Sequence, residues 1–167
     1  MEQQTALLEQ PPVEGAEALF RAYGDMVYRL AFLRTKSASD ADDVVQEVFL
    51  RCLKFPRVWN SAEHQKAWFI TVTVNCSKTL LTSAFRRHTA PERDDILVEM
   101  EESSEVYGEV LKLPVRYRTA VHLFYYEGYK TAEIAKLLGQ PEGTVKSWLF
   151  RARDMLRESL KGVYPDV

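Results

Sequence analysis

Apolar residues return at helical spacing along almost the whole chain, and the polar stretches between them are short. From Glu14 to Lys36 the stripe Leu19/Phe20, Tyr23, Met26/Val27, Leu30 and Leu33 predicts one amphipathic helix. Gly24 weakens it by about 1 kcal/mol relative to alanine without breaking it. Ser37–Asp40 carries N-cap chemistry. A second helix follows over about Asp40–Phe55, with Ala41, Val44/Val45, Val48, Cys52 and Phe55 on its buried side. Acids crowd its first turn, where the helix dipole favours negative charge. Pro56 ends it, and residues 56–63 form a loop carrying Trp59.

The third helix is expected over about Ala62–Phe85, with Phe69, Val72, Cys76 and Leu80 in its stripe and Trp68 beside it. Its β-branched run from Ile70 to Val74 would alone suggest a strand. The helical spacing that continues to Leu81 decides for helix. Further on, Ser104–Lys112 reads as a short helix. Another starts at Leu113-Pro114, turns Tyr117, Ala120/Val121 and Phe124 inward, and ends near Gly128.

Thr131–Leu156 then predicts two helices and a tight turn. Thr131 is the expected N-cap of the first, Gly139 its stop, and Pro141 the opening of the second. Ile134, Ala135 and Leu138 form one stripe; Val145, Leu149, Ala152 and Leu156 form the other. Two such helices make a helix-turn-helix. Thr144, Lys146, Ser147, Phe150 and Arg151 are left outside the second stripe, with Arg153 and Arg157 near the Lys146 side. Basic and hydroxyl groups there suit a DNA major groove. The same pattern also suits a plain packing hairpin with a solvated face.

The predicted fold class is all-α: two small helical domains joined by an acidic linker, the C-terminal one a four-helix helix-turn-helix domain. The expected boundaries are a flexible tail over 1–13, a first domain over 14–88, the linker over 89–104 and the second domain over 105–162. Net charge is only −2, but it is segregated. Residues 1–85 hold nine basic and ten acidic side chains, 86–113 four and eight, and 114–167 nine and six. That separation points to domains with distinct partners. Cys52 and Cys76 stand without a CxxC pair, so two buried thiols in a reducing cytoplasm are expected rather than a metal site. No phosphate-binding glycine loop or nucleophile–base constellation is visible, so neither an enzyme nor a cofactor is expected. No run reaches the roughly 20 apolar residues of a membrane span. Asp42, Asp43, Gln46 and Glu47 line the polar side of the second helix, which composition alone reads as a solvated face. Asn75, Lys78, Arg86, Arg87 and His88 give the third helix a polar and basic edge; aromatics among such groups can stack unpaired bases. The plain alternative is that Trp59 and Trp68 are core residues, and for Trp68 that reading is the better one.

Three segments resemble one family. DADDVVQEVFLRCLK resembles the polymerase-binding helix of bacterial sigma-70 initiation factors, in the small extracytoplasmic-function (ECF) group. AWFITVTVNCSKTLL resembles their −10-reading and melting helix, and LPVRYRTAVHLFYYEGYKTAEIAKLLGQPEGTVKSWLFRARDMLR their −35-reading domain. The resemblance covers about residues 15–161. It implies that Asp43, Gln46, Glu47 and Phe49 dock on a coiled coil of the polymerase β′ subunit, in place of the solvated reading. It further implies that Trp59, Asn60, Ser61, Asn75 and Lys78 hold unpaired −10 bases, and that Thr131, Thr144, Lys146, Ser147, Phe150, Arg151 and Arg153 face the −35 duplex. The β flap, an anti-sigma factor and an acidic linker lying along the RNA-exit path are implied as well. Thr71, Val74 and Thr79 stand where members often carry arginines and an aspartate, and Trp148 where an arginine is common; Trp148, at the margin of the stripe, reads as packing. The competing expectations are a dimeric helix-turn-helix regulator that binds operators without polymerase, and a helical adaptor that binds only protein.

Overall fold

The computed structural model describes residues 11–55, 57–87 and 105–162, the side chains of 84–87 excepted. The expected acidic linker at 89–104 and most of the expected tail lie outside these residues. The described residues form helices and no strand. They are α1 (Ala16–Thr35), α2 (Ala38–Lys54), α3 (Ala62–Arg87), α4 (Glu105–Leu111), α5 (Val115–Val121), a π-helical segment (His122–Tyr126), α6 (Thr131–Leu138) and α7 (Glu142–Leu160).

α1, α2 and α3 form a bundle around Phe69, which is fully buried among Leu19, Val27, Ala31, Ala41, Val44 and Val48. Local chemistry sets the ends. Ser37 Oγ accepts the Asp40 N–H at 3.2 Å and starts α2 two residues before the position expected from its acids. Ser61 Oγ accepts the His64 N–H at 3.0 Å in the same way at α3. The 1–13 tail is corrected at Val13. The buried Gln65 amide accepts the Val13 N–H and donates to its carbonyl, at 3.1 and 2.9 Å, and Tyr23 donates to the same Gln65 oxygen. A tethered backbone amide pair of this kind satisfies both polar groups of Val13 at once.

Two positions expected inside lie outside: Phe20 is 55% exposed and Phe55 61%. The α1 stripe is narrower than its pattern, because Leu19 and Tyr23 already fill the contact with α2 and α3. Phe55 follows the last turn of α2 and no longer faces the bundle. The Ile70–Val74 run is helical, and its β-branched side chains have a packing reason. Ile70 and Val74 are fully buried on a second face of α3, away from the Phe69 side, against the C-terminal helices.

Those helices form the other half. Leu113, Tyr117, Ala120, Leu123, Ile134, Leu138, Val145, Leu149 and Ala152 belong to one buried cluster that also takes in Leu30, Leu33, Ile70 and Val74. The expected straight helix to Gly128 is corrected by the π segment, where the Glu127 N–H reaches back five residues to the His122 carbonyl at 3.0 Å. The wider turn rotates Leu123 fully inward, leaves Phe124 half-buried and carries Glu127 towards α3.

In the helix-turn-helix, Gly139 closes α6 with a left-handed φ of 62°, as expected. Thr131 is not the N-cap: Lys130 occupies that place, its N–H donating to Glu133 at 3.0 Å, and the Thr131 hydroxyl donates across to Glu142 at 2.9 Å. Pro141 is the N-cap of α7 rather than its first helical residue.

Candidate polymerase and nucleic-acid interfaces

α7 is anchored by Val145, Leu149 and Ala152, all buried, so its other side has to face outward. Lys146, Phe150, Arg153 and Arg157 run at steps of four, three and four along one flank; Thr144, Ser147 and Arg151 run at three and four along the other. Lys146, Ser147, Phe150, Arg151 and Arg153 are exposed, Phe150 at 70%, and Thr144 is half-buried. The structure therefore brings the expected α7 residues together. Thr131 joins them through Glu142, whose carboxyl is held below the usual range by the Thr131 hydroxyl and then by Lys146, 3.4 Å away. Two arginines are partly engaged within the fold. Arg153 donates to the Tyr125 hydroxyl at 2.6 Å and lies 5.7 Å from the Phe124 and Tyr125 ring centres. Arg151 approaches the Tyr117 hydroxyl at 3.5 Å and, with Arg116, draws that phenol below its ordinary pKa. Trp148 is half-buried against the core, the packing place read from its position.

The loop before α3 and the outer side of α3 hold the second set. Trp59 is half-buried, edge-on to Trp68 at 5.6 Å and stacked on Phe69 at 6.3 Å. Arg57 lies 4.7 Å over Trp68. Asn60 is exposed, whereas the Ser61 hydroxyl is occupied with capping α3. Asn75 and Lys78 are exposed further along. Asn75 lies seven residues, two turns, from Trp68 and so on the same side, about 21 Å along the helix axis from Ser61.

On α2, Asp43, Gln46 and Glu47 are exposed on one side, and Glu47 bonds Arg51 at 2.9 Å. Phe49 is different: it is half-buried between Phe20 and Phe69, ring centres 5.1 and 5.3 Å away, and braces the helix from behind. Leu50, 48% exposed and one heptad from Asp43, continues the outer face beside Leu53 at 58%. The seven-residue step from Asp43 was the signal for Leu50; only its apolar character argued for burial. Among the described residues no group of three or more His, Cys, Asp or Glu could hold a metal ion. Cys52 and Cys76 are buried free thiols pushed above their ordinary pKa by burial.

Comparison with known proteins gives the class. Residues 19–87 match the model of sigma-70 region 2, and 104–156 match that of sigma-70 region 4. The ECF RNA polymerase sigma factor SigM of Mycobacterium tuberculosis is 32% identical over 149 residues, covering 86% of this chain and 76% of the relative. The RNA polymerase sigma factor SigV of Bacillus subtilis is 30% identical over 141 residues, covering 80% and 83%. The sigma factor RpoE of Bartonella quintana, solved with the anti-sigma factor NepR, superposes with a TM-score of 0.70 at 22% identity over 85% of this chain and 94% of that one, a likeness of fold. An all-helical pair of regions 2 and 4 is the architecture of a sigma-70 initiation factor. The chain belongs to that family, in its ECF group: it is a transcription initiation factor that binds RNA polymerase and confers promoter specificity.

Proposed function

We propose that three surfaces divide this work. The exposed side of α7, centred on Lys146, Ser147, Phe150 and Arg151, enters the major groove of the −35 element, while Thr131 and Thr144 flank it and Arg153 supports it through Tyr125. Trp59, Asn60, Asn75 and Lys78 hold unpaired bases of the −10 element, with Ser61 fixing the loop. Asp43, Gln46, Glu47 and Leu50 meet the β′ coiled coil, with Phe49 bracing them, and the C-terminal domain sits near the β flap. The observation that carries the reading is α7: its buried stripe fixes its rotation, and the residues thereby turned outward are basic, hydroxylic and aromatic.

Extruding a base from the −10 duplex costs a few kcal/mol of stacking and pairing. Stacking on aromatic side chains returns about 1–3 kcal/mol per base. Opening is therefore driven by tighter binding to the open strand, without nucleotide hydrolysis, and the chain itself carries no catalytic step. The site of action is the cytoplasm, where polymerase and promoter are. Among the described residues no helix is long and apolar enough to cross a membrane. Domain limits of 14–88 and 105–162, with 89–104 as a linker along the RNA path and an anti-sigma factor as inhibitor, complete the proposal.

Run-off transcription with core polymerase on a genomic promoter library tests it. The wild-type chain is expected to start transcripts from two-element promoters. Asp43→Arg with Glu47→Arg is expected to keep the helical spectrum and lose holoenzyme assembly. A folded double variant that assembles normally overturns the docking assignment. Tight operator binding without polymerase, and no transcripts, favours the dimeric regulator instead.

A further inference from the structure

Arg153 is held in a way that leaves its charge uncancelled. Its Nε–H donates to the Tyr125 hydroxyl at 2.6 Å, and its guanidinium lies 5.7 Å from the ring centres of Phe124 and of Tyr125. Phe124 stands edge-on to Tyr125, ring centres 4.9 Å apart, and is itself half-buried against the core of the C-terminal domain. The cation is therefore tied to the core through two aromatic rings, although Tyr125 is 60% exposed and Arg153 is exposed as well. Both rings come from the π segment. A turn that closes over five residues sets neighbouring side chains at a smaller angle than one that closes over four, so two consecutive residues meet one guanidinium. Lys146 and Lys161, towards the two ends of α7, are paired with acids instead: Glu142 at 3.4 Å and Glu158 at 2.8 Å. Among the described residues no carboxylate pairs with Arg153, which is bonded to a phenol.

A phenol differs from an acid as a partner. It accepts from the Nε–H without adding a negative charge, and it keeps its own O–H to donate. Accepting from a cation polarises that O–H and makes it a stronger donor. Both terminal amino groups of the guanidinium are left over, in the fork that fits two oxygens of one phosphate. The guanidinium is also partly ordered before anything binds, so less side-chain freedom is lost on binding. Its placement suits a phosphate rather than a base. At about 100° per residue, Ser147 stands nearly opposite the buried stripe and Phe150 well outward, whereas Arg153 stands to the side, next to the buried Ala152. A helix about 10–12 Å across fills a major groove about 12 Å wide. Its outermost residues then meet base edges, and its flanks meet the walls, which are phosphate.

We propose, given that α7 enters the −35 groove, that Arg153 and Tyr125 form a phosphate clamp: the guanidinium and the phenol O–H together grip one backbone phosphate of the −35 duplex, and the π segment aims them. Tyr125 lies outside the helix-turn-helix and bears on affinity and register, not on which bases are read. Holoenzyme made with the full chain is titrated on a promoter duplex from which it starts transcripts. It is also titrated on copies of that duplex that each carry one methylphosphonate in the −35 element, which removes one backbone charge at a time. One of these substitutions is expected to weaken the wild type about tenfold. Arg153→Ala is expected to weaken binding to the unmodified duplex about as much and to lose its sensitivity to that one methylphosphonate. Its slope of log affinity against log salt should be shallower by about one. Tyr125→Phe, which keeps the ring and removes the hydroxyl, is expected to cost about threefold at unchanged slope. Tyr125→Glu, whose carboxylate cancels the cation, is expected to cost at least as much as Arg153→Ala, with the shallower slope. An Arg153→Ala holoenzyme with the wild-type slope and wild-type sensitivity at every position has lost an internal packing contact only, and overturns the clamp. So does a Tyr125→Phe holoenzyme indistinguishable from wild type. Lys146→Ala separates this failure from a wider one: if it weakens binding while Arg153→Ala does not, the clamp falls and the placement of α7 stands; if neither does, both fall.

Discussion

Glu127 offers a quantitative test of the packing against α3. Its side chain is 10% exposed, with Lys66 Nζ at 2.9 Å and His122 Nε2 at 3.7 Å. His122 and Lys66 together hold its carboxyl down to about 2, against burial, which pushes it up. At 3.7 Å the imidazole is too far for a hydrogen bond, and its Nε2 is otherwise unpartnered, so the lysine is the firmer hold. A carboxyl lowered on folding stabilises the fold above its unfolded value, and that contribution disappears as the pH falls from 4.5 towards 2. The gap corresponds to about 3 kcal/mol as an upper bound. For a chain of this size each kcal/mol moves Tm by about 2–4 °C. Glu127→Gln, which keeps the shape and removes the charge, is therefore expected to lower Tm at neutral pH by on the order of 10 °C at most. It should also flatten the loss of stability on acidification over that window. Thermal unfolding by circular dichroism across a pH series measures both. A variant with wild-type Tm and the wild-type acid slope refutes the ion-pair argument.

Lys146→Ala and Arg151→Ala are expected to weaken binding to −35 duplex. Where the lost contact is to phosphate, the slope of log affinity against log salt becomes shallower by about one, and an unchanged slope rules that role out. Phe69→Ala empties the centre of the N-terminal bundle and is expected to cost about 3–5 kcal/mol in urea unfolding; a loss below about 1 kcal/mol contradicts its central place. Gln65→Leu strands both backbone groups of Val13 and leaves the Tyr23 hydroxyl only the Ala62 carbonyl at 3.5 Å, with an expected loss of about 1–3 kcal/mol and faster proteolysis near residue 13; unchanged stability and cleavage would show the tether to be idle.

The helices were legible because a 3.6-residue period leaves a trace in residue type. The α7 face was legible for the same reason: Val145, Leu149 and Ala152 fix the rotation, and Lys146, Ser147 and Phe150 follow. The width of a buried stripe leaves no such trace, and Phe20 and Phe55 looked like core residues, although Phe20 meets Phe49 only at the rim of the bundle and Phe55 follows the last turn of α2. The π segment was hidden because its one-residue widening changes no composition. Arg34 of α1 and Arg118 of α5, both buried, were illegible in a stronger sense. Their acceptors are backbone carbonyls and hydroxyls, which any helix end or Ser/Thr can supply, so no complementary acid marks the pairing. The β-branched Ile70–Val74 run was the one visible hint that α3 is buried on two faces.

The π segment also has a bearing on ancestry. A single inserted residue is the simplest origin of such a turn, and here it delivers Glu127 to Lys66. Relatives one residue shorter between Val121 and Gly128 would run this stretch as an ordinary α-turn and aim a different side chain at α3. In a family alignment, then, the length of that interval should co-vary with a lysine at position 66, so that an indel in one domain is tied to a point substitution in the other.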